Sequence, residues 1–311
     1  MSPSFSVVIP AFNAERHIAA TIASVTSQQF HPLEIVVVDD GSADDTASVA
    51  MASSPLVKCH RQENSGAAAA RNTGIRLACG THVAFLDADD RWLPHHLANL
   101  REALERYDVR WAASAYTVLF ETDPPREIPR MVDGIKGDQP VLLEDYFQAC
   151  SRAWRVFTSA CAMERTFLME HEGFDTGLRT GEDLDLWFRL ALAEPRLAYC
   201  PRPSVFYRQV EGSLMDQESD PFDGFYRVLC RMQEQTGTIG SEIERRTRPL
   251  RRRSADSAAR VAGRNTNRAQ ARRLLAEFGS LLSPAVRLRL AMCLVLPTPL
   301  NRALWSLRSR R

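Results

Sequence analysis

The sequence predicts an α/β protein: a mostly parallel sheet flanked by helices, followed by a helical, basic C-terminal extension. The first hundred residues alternate short, β-branched apolar runs with amphipathic stretches, the pattern of parallel strands joined by helices. Polar residues follow the apolar runs, as they do at the ligand-binding edge of such sheets. Beyond residue 240 the chain is rich in arginine and has the spacing of helices.

Four strands are expected in the N-terminal region, at Phe5–Ile9, Glu34–Val38, Leu56–Cys59 and His82–Leu86. Helices are expected between them. Asn13 is a candidate N-cap for the first helix, and Ser42 with Asp45 resembles the start of a capping box for the second. The third is expected over Ala67–Leu77, a run of good helix formers.

Composition limits the class of protein. The 311 residues are 45% hydrophobic, enough for one domain of about 200 to 250 residues plus an appendage, so a disordered chain is excluded. Seven cysteines without a CxxC pair exclude a complete intramolecular disulfide framework and fit a reducing cytoplasm. The N-terminus has no basic segment, and Pro10 interrupts its apolar run, so no signal peptide is expected.

Charge is distributed unevenly. Residues 241–311 contain 17 arginines and four acidic residues, a net charge of +13, which leaves −12 for the remainder of a chain whose total is +1. We therefore predict two parts, a domain over 1–225 and an Arg-rich helical extension over 226–311. The opposite charges indicate that the two parts face different partners or face each other.

Two features of the middle of the chain bear on function. Residues Glu121–Pro140 are rich in proline and glycine, which predicts a loop that could border an acceptor cleft. Farther on, Gly181-Glu182-Asp183 precedes apolar residues at helical spacing, so the acidic pair is expected to open a helix.

Asp87-Ala88-Asp89 follows an apolar strand. Because side chains alternate along an extended chain, we expect the two carboxylates to point the same way, which suits Mg²⁺ or Mn²⁺ bound to phosphate oxygens. Taken alone, the motif is more often a solvated turn, but the polar residues expected at the same sheet edge favour a site. His95-His96 lacks metal-ligand spacing and is interpreted as surface.

Five segments occur in the order found in family-2 glycosyltransferases, and the chain resembles that family over roughly residues 4 to 215. They are Ser6–Asn13 (SVVIPAFN), Val36–Ser42 (VVVDDGS), Ala69–Gly74 (AARNTG), Phe85–Asp90 (FLDADD) and Gly181–Asp183 (GED). The resemblance implies the GT-A fold, a Rossmann-like mostly parallel sheet. It also implies inverting transfer of a sugar from a nucleotide diphosphate carrier, a UDP-sugar, to an acceptor hydroxyl in cell-surface polysaccharide or glycolipid synthesis.

The same resemblance implies roles for individual residues. Pro10, Ala11, Asn13 and Glu15 would surround the nucleotide, Asp39 would bind its base, and Arg71 would lie near the phosphates. Asp87 and Asp89 would hold the ribose and a divalent metal, Mn²⁺ or Mg²⁺, with Asp89 favoured as the metal ligand. Asp183 would be the catalytic base, with Glu182 the next candidate. Without the resemblance, Glu182 and Asp183 would be read as helix caps.

One departure from the family pattern concerns the metal. Many members have a histidine after a Tyr-Arg pair late in the domain, whereas this chain reads Tyr207-Arg208-Gln209, and its last histidine is His171. The resemblance therefore leaves the third protein ligand of the metal unassigned.

Two other functions remain open. A sugar-phosphate nucleotidyltransferase would need a glycine-rich phosphate loop near the first strand, where this chain has Pro10-Ala11-Phe12-Asn13. A non-catalytic nucleotide-sugar-binding or membrane-scaffold protein would not need the carboxylates that are present. No feature predicts binding to nucleic acid.

The extension has two interpretations of equal weight. Six arginines between Arg245 and Arg253 precede the apolar stretch Leu288–Leu296, which is too short to span a bilayer. The extension could lie on the anionic inner face of the cell membrane, close to a lipid-linked acceptor. It could instead dock on the acidic N-terminal domain.

Overall fold

A computed structural model of the protein describes residues 2–120, 126–135, 137–151, 156–209, 222–237 and 240–306. The chain divides into two compact units, Met1–Ser213 and Leu214–Arg311. The boundary expected after residue 225 would fall inside the helix Phe222–Gly237, whose main contacts are with the helix that follows it in sequence. For this reason the division lies before that helix and not within it.

The strands of the first unit are β1 (Phe5–Ala11), β2 (Glu34–Asp39), β3 (Val57–Arg61), β4 (His82–Phe85), β5 (Arg91–Trp92), β6 (Trp111–Ser114), β7 (Tyr116–Phe120), β8 (Arg126–Arg130), β9 (Val141–Leu143), β10 (Cys161–Glu164), β11 (Leu197–Cys200) and β12 (Val205–Gln209). Within the described residues, eight of them form one sheet in the order β3-β2-β1-β4-β10-β6-β11-β9, and four form a second sheet in the order β5-β12-β7-β8. In the larger sheet β1 pairs in parallel with β2 and β4, and β2 with β3. β10 is antiparallel to both of its neighbours.

The helices of this unit are α1 (Ile18–Thr26), α2 (Thr46–Ser53), α3 (Ala67–Leu77), α4 (His96–Tyr107), α5 (Tyr146–Ser151), α6 (Arg165–Glu170) and α7 (Glu182–Ala193), with a 3₁₀ turn at Thr158–Ala160. Helix α3 packs directly on β1. At Gly74 of α3, an added Cβ would lie 2.2 Å from Cγ1 of Val8. The glycine of the AARNTG segment is therefore required by a close approach of helix and strand.

The four strands expected in the N-terminal region are confirmed to within two residues at each end. Every residue of β2 and β4, and all of β1 except Pro10, is buried. Central parallel strands covered on both faces are continuously apolar, which explains why these runs are easily recognised in the sequence. All seven cysteines are free.

Both predicted helix caps are wrong in detail. Helix α1 begins only at Ile18, and Asn13 instead adopts a positive φ of 49° and accepts a hydrogen bond from the Ala43 N–H at 2.9 Å. The side chain of Asp45 does not cap α2 either, and the Thr46 N–H donates to Asp44 at 3.1 Å. These polar side chains join the turns after β1 and β2.

The segment expected to be a loop contains a strand. Residues 121–125 and 136 of Glu121–Pro140 lie outside the described part, but Arg126–Arg130 forms β8, which pairs antiparallel with β7. Four of its five residues are exposed, so the segment lacks the apolar alternation that would have marked it as a strand. Pairing with β7 determines its conformation.

The second unit contains α8 (Phe222–Gly237), α9 (Ser241–Arg264), α10 (Arg268–Phe278), α11 (Pro284–Val295) and α12 (Thr298–Ser306). Its core is formed by apolar side chains such as Tyr226, Leu229, Ala258, Leu274 and Leu290. Asn267 caps α10 by accepting from the backbone N–H groups of Ala269 and Gln270. Among the described helices, none combines the length and apolarity that crossing a bilayer would require.

Candidate active site

The DxD segment lies in a turn at the end of β4. The strand ends at Phe85, and the Asp90 N–H donates to the Asp87 carbonyl at 3.1 Å. The expectation of an extended chain over Asp87-Ala88-Asp89 is therefore wrong, since a turn begins before Asp89. Both residues are half-buried, whereas Ala88 and Asp90 are buried.

Arg71 joins this turn to the GED segment. From α3 its Nη2 donates to Oδ1 of Asp87, and its Nη1 donates to Oε1 of Glu182, each at 2.8 Å. The arginine side chain is only 7% exposed, and its Cζ lies 5.3 Å from the centroid of the Phe174 ring. Burial opposes its charge, but the two carboxylates outweigh this and raise the pKa of Arg71 above its usual value. The guanidinium is thus held as a permanent cation between two acidic segments.

The acidic pair opens α7, as expected. Gly181 is the N-cap with a φ of 79°, and Glu182 and Asp183 occupy the first turn. Asp183 is half-buried, and its Oδ1 accepts from the Leu184 N–H at 2.7 Å. Burial and the charge of Asp183 raise the pKa of Glu182 to about 7, and Arg71 partly opposes this rise.

Negative charge accumulates in the turn after β4. Burial and the charge of Asp87 raise the pKa of Asp89 to about 6. Burial, together with the charges of Asp87 and Asp89, raises the pKa of Asp90 well above its usual range. Arg71 pairs with Asp87, but burial and mutual repulsion leave Asp89 and Asp90 with raised pKa values, which favours the binding of a cation or the retention of protons.

Ser159 holds this turn in place. Its Oγ accepts from the Asp87 N–H at 3.0 Å and donates to Oδ2 of Asp90 at 2.5 Å, while its carbonyl accepts from Nε1 of Trp92 at 2.7 Å. The serine comes from the 3₁₀ turn before β10 and is completely buried. Sequence reasoning missed it, because nothing local distinguishes it from other serines.

Arg208 was also missed. Its backbone N–H donates to Oδ1 of Asp90 at 3.0 Å, and its charge acts to lower the pKa of Asp89. It lines a cavity of about 160 Å³ together with Asp89, Arg91, Leu119, Glu127 and Phe206. The Tyr207-Arg208 pair is the sequence signal that could have found it. The family pattern draws attention to the residue after this pair, and not to the arginine itself.

The residues expected around the nucleotide lie at the ends of β1 and β2. Pro10 is half-buried and Ala11 is buried in β1, while Asn13 and Glu15 are exposed in the following turn. The Asn13 N–H donates to Oγ of Ser42, and Oε2 of Glu15 accepts from the Asp45 N–H. β1 lies between β2 and β4, so this group borders the acidic turn.

The carboxylates of Asp39 and Asp40 differ in how many hydrogen bonds they accept. Asp40 accepts from Nε2 of Gln62 and from the Ser65 and Gly66 N–H groups, so it orders the approach to α3. Asp39 is completely buried, and its Oδ1 accepts from the Ser42 N–H. Its Oδ2 accepts no hydrogen bond from the described residues and lies 3.6 Å from Nε of Arg61. A buried acceptor without a hydrogen-bond donor is a candidate partner for a ligand N–H.

The interpretation of His95-His96 as surface is wrong for His96. The imidazole is completely buried, its Nδ1 lies 2.7 Å from Oγ of Ser204, and its ring lies 4.4 Å from that of Trp92. Burial, with a smaller effect of His95, lowers the pKa of His96 to about 3. In the part of the chain that the structure describes, no group of three His, Cys, Asp or Glu side chains is placed to hold a metal.

Comparison with known proteins identifies the family. The sequence model described as "Glycosyl transferase family 2" matches residues 6–166, just over half of the chain. The chain belongs to glycosyl transferase family 2. The match covers four of the five segments that carried the resemblance and ends before Gly181–Asp183.

Individual family members share parts of this chain. Glycosyltransferase GlyA of Streptococcus pneumoniae is 26% identical over 216 residues, which cover 67% of this chain and 31% of GlyA. The Escherichia coli protein WfgD, named as a UDP-Glc:alpha-D-GlcNAc-diphosphoundecaprenol beta-1,3-glucosyltransferase, is 42% identical over 116 residues, which cover 37% of this chain and 46% of WfgD. The matches thus span about a third to a half of the length of these relatives.

A solved structure shares the fold. S. aureus TarS 1-349, crystallised in complex with UDP-GlcNAc, superimposes with a TM-score of 0.70 at 16% identity, over 97% of this chain and 90% of that one. The expected GT-A-type α/β fold with C-terminal helices is therefore confirmed.

Proposed function

We propose that this protein is an inverting glycosyltransferase that moves a sugar from a nucleotide diphosphate sugar, a UDP-sugar, to an acceptor hydroxyl. The observation that carries the proposal is the pair of contacts made by Arg71, which brings the DxD turn and the first turn of α7 together. In this proposal the DxD turn would bind the donor, and the candidate base on α7 would serve the same site. TarS has been crystallised with UDP and with UDP-GlcNAc, and WfgD is named for a UDP-glucose donor, which supports the choice of nucleotide.

The nucleotide is assigned to the ends of β1 and β2. The buried Oδ2 of Asp39 would accept from the base N–H, with Pro10, Ala11, Asn13 and Glu15 around it. Asp87 would hold the ribose. Arg71 already donates to two carboxylates, so contact with a phosphate would require it to release one of them. We therefore assign the diphosphate contact to Arg208 as well, because it lines the cavity beside Asp89.

A divalent metal is general among GT-A enzymes, and the residues present fit one that is completed by the substrate. Asp89 and Asp87 supply hard oxygen ligands, and burial together with the charge of Asp87 raises the pKa of Asp89, a repulsion that a bound cation would relieve. The described residues offer no third carboxylate or imidazole in a suitable cluster, so the other ligands would be phosphate oxygens and water. When bound, Mn²⁺ or Mg²⁺ would stabilise charge on the departing nucleoside diphosphate.

Asp183 is the proposed catalytic base. As an ionised carboxylate in the first turn of a helix, it is stabilised by the N-terminal dipole and can accept the proton of an acceptor hydroxyl. The oxygen of that hydroxyl attacks the anomeric carbon as the bond to the diphosphate breaks, which inverts the configuration. Glu182 is bound to Arg71 and has a pKa near 7, so it is assigned to positioning Arg71 and is the second candidate for the base.

Product analysis distinguishes the possible functions. A glycosyltransferase incubated with a panel of nucleotide sugars and acceptors releases UDP in step with sugar transfer. A sugar-phosphate nucleotidyltransferase would release pyrophosphate from a nucleoside triphosphate. A non-catalytic binding protein would bind the donor without releasing UDP, and either of these last results would overturn the proposal.

The role of Asp183 is tested by Asp183→Asn. We expect transfer to fall by at least about 10²-fold, a typical contribution of a general base, with donor affinity nearly unchanged. Glu172→Gln is the control, because Glu172 is an exposed carboxylate of the same unit and should keep normal transfer. Near-normal turnover of Asp183→Asn would move the base to Glu182 or Asp185.

We further propose that the acceptor is a saccharide or a lipid-linked sugar in the synthesis of cell-surface polysaccharide or glycolipid, at the cytoplasmic face of the membrane. The printed name of WfgD, a transferase to a diphosphoundecaprenol-linked sugar, supports this acceptor class. Comparison of transfer to free and to polyprenol-linked saccharides tests it.

A further inference from the structure

Helix α11 has two apolar faces, of which only one is covered. At about 100° per residue, Val286, Leu290 and Cys293 lie on one side and are buried in the core of the second unit. Pro284, Leu288, Ala291 and Val295 lie on the opposite side, and all four are exposed. Leu288 and Val295 keep 63% and 77% of their surface accessible. We call these four residues the apolar stripe.

The exposed apolar surface continues into α12. Pro297, Pro299 and Leu300 follow the stripe and are exposed, Leu300 by 58%, while Asn301 and Trp305 on the other side of α12 are buried. Single exposed apolar residues are normal in soluble proteins, but a contiguous group marks an interaction surface. The stripe and Leu300 lie on helices that contact each other, and we treat them as one such surface.

The charged residues of α11 and α12 all have one sign. On the helical wheel Arg287 and Arg289 flank the stripe on its two sides, about 100° away from Leu288 in opposite directions. From residue 278 to the C-terminus the sequence contains six arginines and no aspartate or glutamate. Among the described residues, neither Arg287 nor Arg302 has an acidic partner. Asp256 of α9 accepts from the Ser283 N–H at the N-terminal end of α11, but α11 and α12 themselves carry only cations. An apolar strip on helices of this charge is complementary to a surface that is apolar inside and anionic outside.

The arginine run of α9 is less suited to this role. Arg251 is buried at 3% exposure, and Nη2 of Arg248 donates to the Ser280 carbonyl. The six arginines between Arg245 and Arg253 therefore do not form a single exposed patch. The basic apolar surface of α11 and α12 is the better candidate within the extension.

We propose that α11 and α12 bind the surface of an anionic lipid bilayer, with the apolar stripe in the acyl boundary and Arg287, Arg289 and Arg302 at the headgroups. A helix that lies in the interface gains affinity from buried apolar area and from attraction between its cations and anionic lipid. Neither contribution requires the donor site, so the proposal stands independently of the catalytic assignment.

The test is sedimentation of the full chain with vesicles, without nucleotide or acceptor. Wild-type protein should pellet with mixed phosphatidylglycerol–phosphatidylcholine vesicles and much less with phosphatidylcholine alone, and salt should release it. The double variant Leu288→Ser/Val295→Ser should lower the partition coefficient at least about tenfold. Arg287→Gln/Arg302→Gln should lower it about fivefold for each arginine.

The matched control is Leu33→Ser/Met51→Ser, which removes two side chains of the first unit that are 55% and 57% exposed. It should bind vesicles like the wild type, and unaltered thermal unfolding should show that all variants are folded. Equal partitioning of the Leu288→Ser/Val295→Ser variant and the wild type would overturn the proposal. A wild-type protein that stays in the supernatant would also overturn it. If that protein self-associates and Leu288→Ser/Val295→Ser abolishes the self-association, a second copy of the chain covers the stripe instead of lipid.

Discussion

Arg71 and Glu182 are separated by 111 positions in the sequence, yet Nη1 of Arg71 lies 2.8 Å from Oε1 of Glu182. The side chains are 7% and 16% exposed. The same guanidinium reaches Asp87 through its other terminal nitrogen. This ion pair therefore fixes α7 relative to α3, and with it the position of Asp183 beside the DxD turn.

Arg71→Ala should both destabilise the protein and inactivate it. Removing the cation leaves two carboxylates without their partner, and breaking a buried pair costs about 3 to 5 kcal/mol of unfolding free energy. Urea denaturation measures this cost. Arg76→Ala is the control, since Arg76 lies on the same helix but is exposed, and its effect should stay within about 0.5 kcal/mol. Similar losses for the two variants would contradict the role of Arg71.

The raised pKa of Glu182 predicts how stability depends on pH. In the unfolded chain the carboxyl loses its proton near 4.5, whereas burial and Asp183 keep it protonated in the native state up to about 7. Between these values the native state binds more protons, so the free energy of unfolding falls as pH rises.

In the Glu182→Gln variant the side chain at this position does not titrate, so this contribution to the pH dependence of stability is absent. From pH 4.5 to pH 7 the wild type should therefore lose up to about 3 kcal/mol of stability relative to the variant. Urea titrations of both proteins across this range measure the difference. If the difference in unfolding free energy does not change with pH, Glu182 titrates normally in the folded protein.

UDP and Mn²⁺ together should stabilise the fold if Asp39, Asp87 and Asp89 form the donor site. Ligand at about 100 times its dissociation constant adds roughly 2.7 kcal/mol to the free energy of unfolding, which a thermal shift detects. Asp89→Ala should abolish the part that depends on the metal. Equally tight UDP binding in the presence of chelator and in the variant would exclude the metal site.

Ser159→Ala should disturb the DxD turn by removing hydrogen bonds that hold it. It removes the acceptor of the Asp87 N–H and the donor to Asp90, and a buried unsatisfied polar group costs about 1 to 3 kcal/mol. We expect a lower unfolding free energy together with weaker UDP–Mn²⁺ binding by calorimetry. Ser53→Ala is the control, because the Oγ of this helix serine donates to the Val49 carbonyl within its own helix. Unchanged UDP–Mn²⁺ affinity in Ser159→Ala would show that the turn does not depend on this serine.

The sequence by itself determined the parallel core of the sheet and the position of its acidic segments. Central strands such as β1 and β2 are buried on both faces, so their apolar runs are continuous. Such strands can be predicted without knowing which strands they pair with. The start of α7 at Glu182 could be predicted for a similar reason, because a glycine, two acids and helical spacing are local signals.

Only the tertiary structure decided which side chains support the candidate site. Ser159 and Arg208 approach Asp90 from segments 69 and 118 positions away. No local pattern marks Ser159, and the Tyr-Arg pair that contains Arg208 does not reveal its contact with Asp90. His96 is buried because α4 presents it to Ser204, and β8 forms a strand because β7 pairs with it. The two apolar faces of α11 look alike in the sequence. Packing against the helical core covers one of them and leaves Leu288 and Val295 exposed, since burial depends on neighbours that a local pattern does not specify.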